Sequence, residues 1–471
     1  MRDRLQPALN HYHQLIANDF AAAEQQMAML HHLQREGRVL FGDRTMAHSL
    51  RPTFLTEQMY TRVQDTTYLI RQAILKIAAT FFNNEELLKR EMGMFDWEIE
   101  LAAIPTNVLR LSATARMDSF ITANSFKFVE VNGESPAGLA YVHALAQIYE
   151  QLPVFQEFTK RFPVRFVSPQ HHLLNALVQV YQDEFGGRKE KPHFAIVDKL
   201  DIPTIHEFHL LRDYLHRMGF GCEVVDPRAL ECRDGWIYAN GKKIDILYRR
   251  LLLKEYYEIK DECPAFLQGY LAQKTCYLNS FRTNLVHKKA LFVFLTDEQY
   301  THILTPAEQY AIQNHIPWTR RMREQRTRFH GLDIDLVPFI RNNRSYFVIK
   351  PNDGYGGQGV TLGFNASEEE WDEAIRTGLQ FGHVVQEKGG HPSRAVPDTA
   401  KRELGNGAFR HRPRSVYYWP TDGRLPHTHV EHGPRERDGR WWHAAYVYSA
   451  LRLDLSLRSY VGKSQVWLYN T

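Results

Sequence analysis

The sequence predicts a mixed α/β fold with a helical N-terminal region and a small parallel α/β unit in its middle. Three observations carry that expectation. Residues 1 to about 105 are helical in pattern, with long Ala, Gln, Leu, Met and Glu runs such as Asp19–Arg35 and Thr61–Phe82. From about 165 to 285, short apolar runs alternate with a helical stretch: His193–Asp198 reads as a buried strand, Ile205–Met218 as a helix, and Gly221–Asp226 and Ile244–Arg249 as further strands. Two further segments, 112–132 and 346–364, show strand character broken by turn residues.

The N-terminal region holds His11, His13, His31 and His32 without ligand spacing, which reads as helix surface or packing. Next comes Phe126-Lys-Phe-Val-Glu130-Val-Asn132, where apolar and polar residues largely alternate, so Glu130 and Asn132 point to one face. Across a turn at Ala123-Asn-Ser, the run Ser112–Ile121 reads as its partner strand and puts Arg116 and Asp118 on a shared face. One hairpin then offers two carboxylates, an amide oxygen and a guanidinium. Hard oxygen donors of this kind suit Mg²⁺, which takes one or two carboxylates and fills its shell with water and phosphate. An arginine beside them complements anionic oxygens. A solvated hairpin carrying an ordinary Arg–Asp pair is the other reading of the same residues.

Farther along, the buried-type strand Tyr346-Phe-Val-Ile runs into Lys350-Pro351 and a loop with Gly354, Gly356, Gly357 and Gly359. Glycines let backbone N–H groups approach phosphate oxygens closely, and the lysine supplies a point charge for them. The loop matches neither the P-loop nor the dinucleotide fingerprint, because Val360–Phe364 reads as another strand. It is a strand-loop-strand flap, or else a hairpin with a glycine-heavy turn.

Together these pieces resemble the synthetase part of glutathionylspermidine synthase and its relatives in the circularly permuted ATP-grasp superfamily. The resemblance rests on Arg116-Met-Asp118 and Glu130-Val-Asn132, then Lys289 in Asn284-Leu-Val-His-Lys-Lys-Ala-Leu-Phe, then Ile316-Pro-Trp-Thr319, the Lys350-Pro glycine loop, and His383-Val-Val-Gln-Glu387. It spans about residues 110–390. It implies a ligase that joins a carboxylate to an amine with ATP and Mg²⁺. Asp118, Glu130 and Asn132 would then hold the metal, and Arg116 would steady the acyl phosphate. Lys289 and Lys350, with Gly356 and Gly357, would hold the ATP phosphates, and backbone from Gln386 through Glu387 to Lys388 would read adenine. The implied organisation is a helical region 1–110, a metal-binding hairpin 111–165, a small α/β subdomain 166–285, a nucleotide-binding part 286–395 and a C-terminal part 396–471. The chain departs from glutathione synthetases in the glycine loop, where Gly354 stands in place of a metal-binding glutamate; Asn352 and Asp353 are the neighbouring substitutes. The cysteine amidase domain of the bifunctional relatives has no counterpart here, so ligation alone is expected.

Composition fits a large enzyme, for which the resemblance implies small-molecule or peptide carboxylates and amines as substrates. The 471 residues, 44% hydrophobic, suffice for a substantial core and two or three domains. A net charge of +4 is too mild to argue for nucleic acid. The basic runs Trp318–Arg328 and Arg410–Arg414 read as solvated faces or as anion-facing surface. Cys222, Cys232, Cys263 and Cys276 lack metal spacing, which fits a reducing cytoplasm, and no stretch approaches a membrane span. The start lacks an apolar signal core. Asp198, Asp226 and the Arg249-Arg250 doublet sit at strand ends, as substrate contacts or as loop salt bridges. The C-terminal aromatic and basic segment around Trp419, Trp441-Trp442 and Tyr446–Tyr448 is where substrate choice is expected. A small-molecule kinase, or an ATP-binding module without catalysis, would use the same groups. Oligomeric state is left open, a homodimer included.

Overall fold

A computed structural model describes residues 5–122, 125–354, 357–388, 445–447 and 468–469. Gly356, the 410–414 basic run and the C-terminal tryptophans lie outside the described residues. Helices α1 (Leu5–Ala17), α2 (Phe20–Glu36) and α3 (Glu57–Phe81) make up most of the N-terminal region. Asp19 starts α2 by accepting the Ala22 N–H at 2.9 Å, and Thr56 starts α3 by accepting from Met59 at 3.2 Å. The helical expectation for this region misses a small hairpin, Leu40–Phe41 with Arg44–Thr45, which turns at Gly42 with φ +58°. Of the four histidines, His11 lies against Phe158 and Phe162 and His31 bonds Thr45, while His13 and His32 are exposed on the helix surface, His32 3.3 Å from Glu36.

Strands β1 (Arg116–Ile121) and β2 (Phe126–Asn132) form the expected hairpin, antiparallel, with Arg116 opposite Asn132 and Asp118 opposite Glu130. The first strand starts four residues later than the sequence pattern suggests. The backbone from Ala113 to Thr114 is claimed instead by the Asn279 side chain, which accepts from Ala113 N–H at 2.9 Å and donates to Thr114 O at 3.4 Å. A bulge falls between Asp118 and Ser119, beside the charged face. Ala445–Val447 pairs antiparallel with the other edge of β1, so chain from near the C-terminus flanks the hairpin. Behind it, Met117, Phe126 and Phe128 join Ile70 and Ile77 of α3 and Phe292 and Phe294 in one apolar cluster.

Helix α4 (Leu139–Tyr149) leads toward a parallel sheet of β3 (Phe194–Val197), β4 (Cys222–Val225), β5 (Ile246–Arg249) and β6 (Cys276–Leu278), in the order β6-β5-β3-β4. Crossover helix α5 (Ile205–Arg217) joins β3 to β4. Strands β3, β5 and β6 are fully buried, as their continuous apolar runs require of a sheet covered on both faces. The second large sheet is antiparallel: β7 (Thr319–Arg321), β8 (Phe347–Lys350), β9 (Thr361–Leu362) and β10 (Val384–Glu387), in the order β7-β10-β8-β9. Helix α6 (Glu368–Phe381) covers it through Trp371 and Ile375, packed on Phe347, Ile349 and Val385.

The basic run 318–328 is not a solvated face at its start. Arg320 is buried, donates to Thr327 Oγ1 at 2.7 Å, pairs with Asp297 at 3.3 Å and lies 4.8 Å from the Trp318 ring. All four cysteines are free. Among the described residues no helix is long and apolar enough to cross a membrane.

Candidate functional site

The hairpin places its four singled-out side chains together. Arg116 forks onto Asp118, Nε to Oδ1 at 2.5 Å and Nη2 to Oδ2 at 3.0 Å, while Asn132 donates to Glu130 Oε1 at 3.2 Å. The second sheet reaches the same spot. Lys350, at the end of β8, donates to Val129 O at 3.3 Å and to Gln386 Oε1 at 2.7 Å. Lys289 lies 3.6 Å from Glu130 Oε2 and donates to Gly354 O at 2.9 Å. Residues separated by more than 200 positions in the chain thus converge on one patch of carboxylate and ammonium groups.

Electrostatics mark this patch as unsettled. Burial raises Asp118, and the facing Glu130 raises it further, against the pull of Arg116. Burial would also raise Glu130, but Lys289, Lys350 and the Asn132 amide outweigh it and bring it down to about 2. Burial lowers Lys350 to about 8, with Lys289 adding to the fall and Glu130 resisting it. Two carboxylates in register, one raised and one lowered, make a pair that a hard cation would complete. Among the described residues no group of three or more His, Cys, Asp or Glu side chains gathers at metal distance. The donor set at the hairpin is two carboxylates and an amide.

The glycine loop turns through left-handed backbone at Gly354, Gly357 and Gly359, with φ of +113°, +73° and +69°. A side chain added at Gly354 or Gly357 would meet no atom within 4 Å, so these positions face open space. The substitutes for the absent loop glutamate have other partners. Asn352 accepts from Ala290 N–H at 2.9 Å and donates to Met92 O at 2.7 Å. Asp353 pairs with Lys288 at 2.6 Å, and Lys288 also binds Glu98 at 2.8 Å. On β10, Gln386 bridges Lys350 and Thr319, the latter at 3.1 Å. Glu387 and Lys388 have their N–H groups committed to Trp318 O and Tyr346 O, at 2.8 and 2.7 Å. Neither N–H group is therefore open to a ligand.

The arginine doublet at the end of β5 is structural on one side. Arg249 is 1% exposed and bonds Glu134 Oε1 at 2.8 Å, Asn279 O at 2.9 Å, Ser280 O at 3.1 Å and Thr283 Oγ1 at 2.8 Å. Arg250 donates to Pro136 O at 2.6 Å and lies 3.6 Å from Glu207. Arg249 thus makes a salt bridge to a loop residue, as one of the two readings expects, but a buried one, and Asp226 pairs locally with Arg228. Asp198 is buried at the end of β3, and desolvation together with Glu255 raises it to about 7 against Arg250.

Three side chains near the site escaped the sequence reading. Lys288, adjacent to Lys289, is fully enclosed between two carboxylates. His287 is buried with Nδ1 lacking a hydrogen-bond partner, and burial lowers its pKa. Lys127 is buried on β2, where burial lowers its pKa and the Glu387 carboxylate opposes the fall. The run His287-Lys-Lys was visible as a cluster of cations, but sequence gives no direction to each side chain.

No family model matches this chain. Uncharacterized proteins of Mycobacterium bovis and Mycobacterium tuberculosis are 24% identical over 258 residues, covering 52% of this chain and 42% of theirs. A Mycobacterium leprae relative is 24% identical over 284 residues, 57% of this chain and 45% of its own length. The chain thus spans less than half the length of these relatives. A solved structure, a glutathione synthetase-like effector from Globodera pallida in its apo form, aligns over 77% of this chain and 80% of its own. The identity is 12% and the TM-score 0.48, a likeness too distant to decide chemistry.

Proposed function

We propose that this chain is a circularly permuted ATP-grasp ligase of the glutathionylspermidine synthetase type, joining a carboxylate to an amine with ATP and Mg²⁺. One observation carries the reading: Asp118, Glu130 and Asn132 of the hairpin meet Lys289 and Lys350 of the nucleotide part, with Lys289 3.6 Å from Glu130. Mg²⁺ held by the hairpin oxygens would neutralise phosphate charge and orient the transferred group. Lys289 and Lys350 would hold phosphate oxygens, and Arg116, steadied by Asp118, would face the charge developing on the substrate. A carboxylate oxygen attacks the γ-phosphorus and ADP leaves; the amine nitrogen then attacks the acyl carbon, inorganic phosphate leaves, and the nitrogen sheds a proton. The glycine loop would cover this site and exclude water from the acyl phosphate.

The test is ADP release across pooled carboxylates and amines, followed by mass spectrometry of the product. Hydroxylamine should divert the activated acid to a hydroxamate, whereas a phosphate ester made by a kinase would survive it. Glu130→Ala and Arg116→Ala should each abolish amine-dependent ADP release with the circular dichroism spectrum retained. Turnover persisting in either variant overturns the assignment.

A further inference from the structure

The hairpin does not set its own geometry. Directly after Asn132, the strap Gly133–Gly138 crosses to the carboxyl edge of the parallel sheet and is tied there at nearly every residue. The Ser112 hydroxyl donates to Gly133 O at 2.8 Å, and Asn279 donates to Glu134 O at 2.9 Å. Arg249 and the Leu253 N–H hold the Glu134 carboxylate at 2.8 and 2.7 Å. Arg250 donates to Pro136 O, and Arg116 to Ala137 O, both at 2.6 Å. The Gly138 and Ala140 N–H groups donate to Glu207 Oε1 at 2.6 and 3.1 Å. At Gly133 any side chain would strike Val286 at 2.7 Å, and Gly138 takes φ +101°, so glycine fixes the path at both ends.

Arg116 belongs to both structures. Two of its donors hold Asp118 and a third holds the strap at Ala137, so displacement of the strap is displacement of Asp118 from Glu130. The joints differ in tightness. Glu134–Arg249 closes at 2.8 Å, while Arg250 stands 3.6 Å from Glu207, whose Oε2 has no hydrogen bond. We infer that Arg250 and Glu207 are positioning residues that set, through the strap and Arg116, how well the Asp118–Glu130 pair holds a divalent cation. The inference rests on the metal reading given above. Groups that orient ligating side chains typically change metal affinity by about 10- to 100-fold when removed.

The experiment measures Mn²⁺ binding to the full chain by electron paramagnetic resonance, with ATP present and without turnover. Arg250→Gln should weaken Mn²⁺ by about 10-fold or more, and Arg250→Lys, which keeps a donor for Pro136 O, should recover part of the loss. Leu30→Ala, in the cluster that packs the N-terminal helices on α4, removes core packing without removing any hydrogen bond to the strap and should leave Mn²⁺ affinity at the wild-type value. Should Arg250→Gln fail to fold, the charge-neutral Arg250→Met/Glu207→Gln pair carries the same expectation. Unchanged affinity in the strap variants overturns the inference while the metal site stands. No Mn²⁺ binding by wild-type chain overturns the metal site itself.

Discussion

Two clusters of buried charge lie within a few residues of each other, and they are built in opposite ways. At the sheet edge, Arg249 and Glu134 are nearly inaccessible, and the guanidinium donors reach a carboxylate, a hydroxyl and main-chain carbonyls. At the hairpin, Asp118 faces Glu130 across the ladder, Asp118 is raised, and Lys350 is lowered to about 8. A buried ion pair whose every donor is satisfied has nothing left to offer a ligand. Carboxylates set against each other with lysines beside them leave electrostatic work undone, and groups perturbed in this way are candidates for a binding site.

The largest expected effect tests the scaffold half. Glu134→Ala leaves Arg249 buried without its counter-charge and frees the strap, which should cost about 3–5 kcal/mol in urea denaturation. A loss near zero would mean that the sheet edge is not the anchor. Asp118→Asn should behave in the contrary way. The fold disfavours ionised Asp118, so its neutral isostere should leave stability unchanged or slightly improved, while ADP release falls by about 10²-fold or more through loss of a charged ligand. Equal damage to stability from both substitutions would erase the distinction between the clusters.

A smaller effect follows from Lys350. Its pKa in the folded chain is below that of the unfolded chain, so the unfolded state binds more protons between about pH 8 and pH 10. Stability of the ligand-free protein should therefore rise with pH through that window. Nucleotide affinity should fall through the same window, by up to about tenfold per pH unit, because the neutral amine no longer attracts phosphate. Parallel pH titrations of melting temperature and of ATP affinity check both signs, and Lys350→Met should flatten both curves. Curves that move in the same direction would remove Lys350 from the phosphate site.

Much of this was legible in the sequence because it depends on local periodicity. Alternation in Phe126–Asn132 put Glu130 and Asn132 on one face, and continuous apolar runs identified β3 and β5 as buried strands. The start of β1 was misread because Ser112–Thr114 has strand character while Asn279, distant in sequence, takes its backbone partners. For the same reason the enclosure of Arg320, in a run read as a solvated face or an anion-facing surface, was not legible: nothing near it in sequence announces Asp297 or Thr327 as enclosing partners. The strap was invisible too. Gly133–Gly138 has no period, and its meaning resides in long-range bonds from Arg249, Arg250 and Glu207.

The smallest expected effect concerns Asp353, the residue beside the glycine that stands where a loop glutamate would be. Its carboxylate already binds Lys288 at 2.6 Å, and Lys288 and the neighbouring His287 and Lys289 lower its pKa against the opposing effect of burial. Because Lys288 keeps Glu98 at 2.8 Å, Asp353→Asn does not strand a buried cation. The Asp353 side chain is 38% exposed, so stability should change by less than about 1 kcal/mol. Mn²⁺ affinity should likewise stay close to the wild-type value, since the carboxylate is committed to an ammonium group and not aimed at the hairpin oxygens. A tenfold loss of Mn²⁺ affinity in Asp353→Asn would show instead that the loop swings to complete the metal shell, and would move the boundary between scaffold and site to include the Lys288 pair.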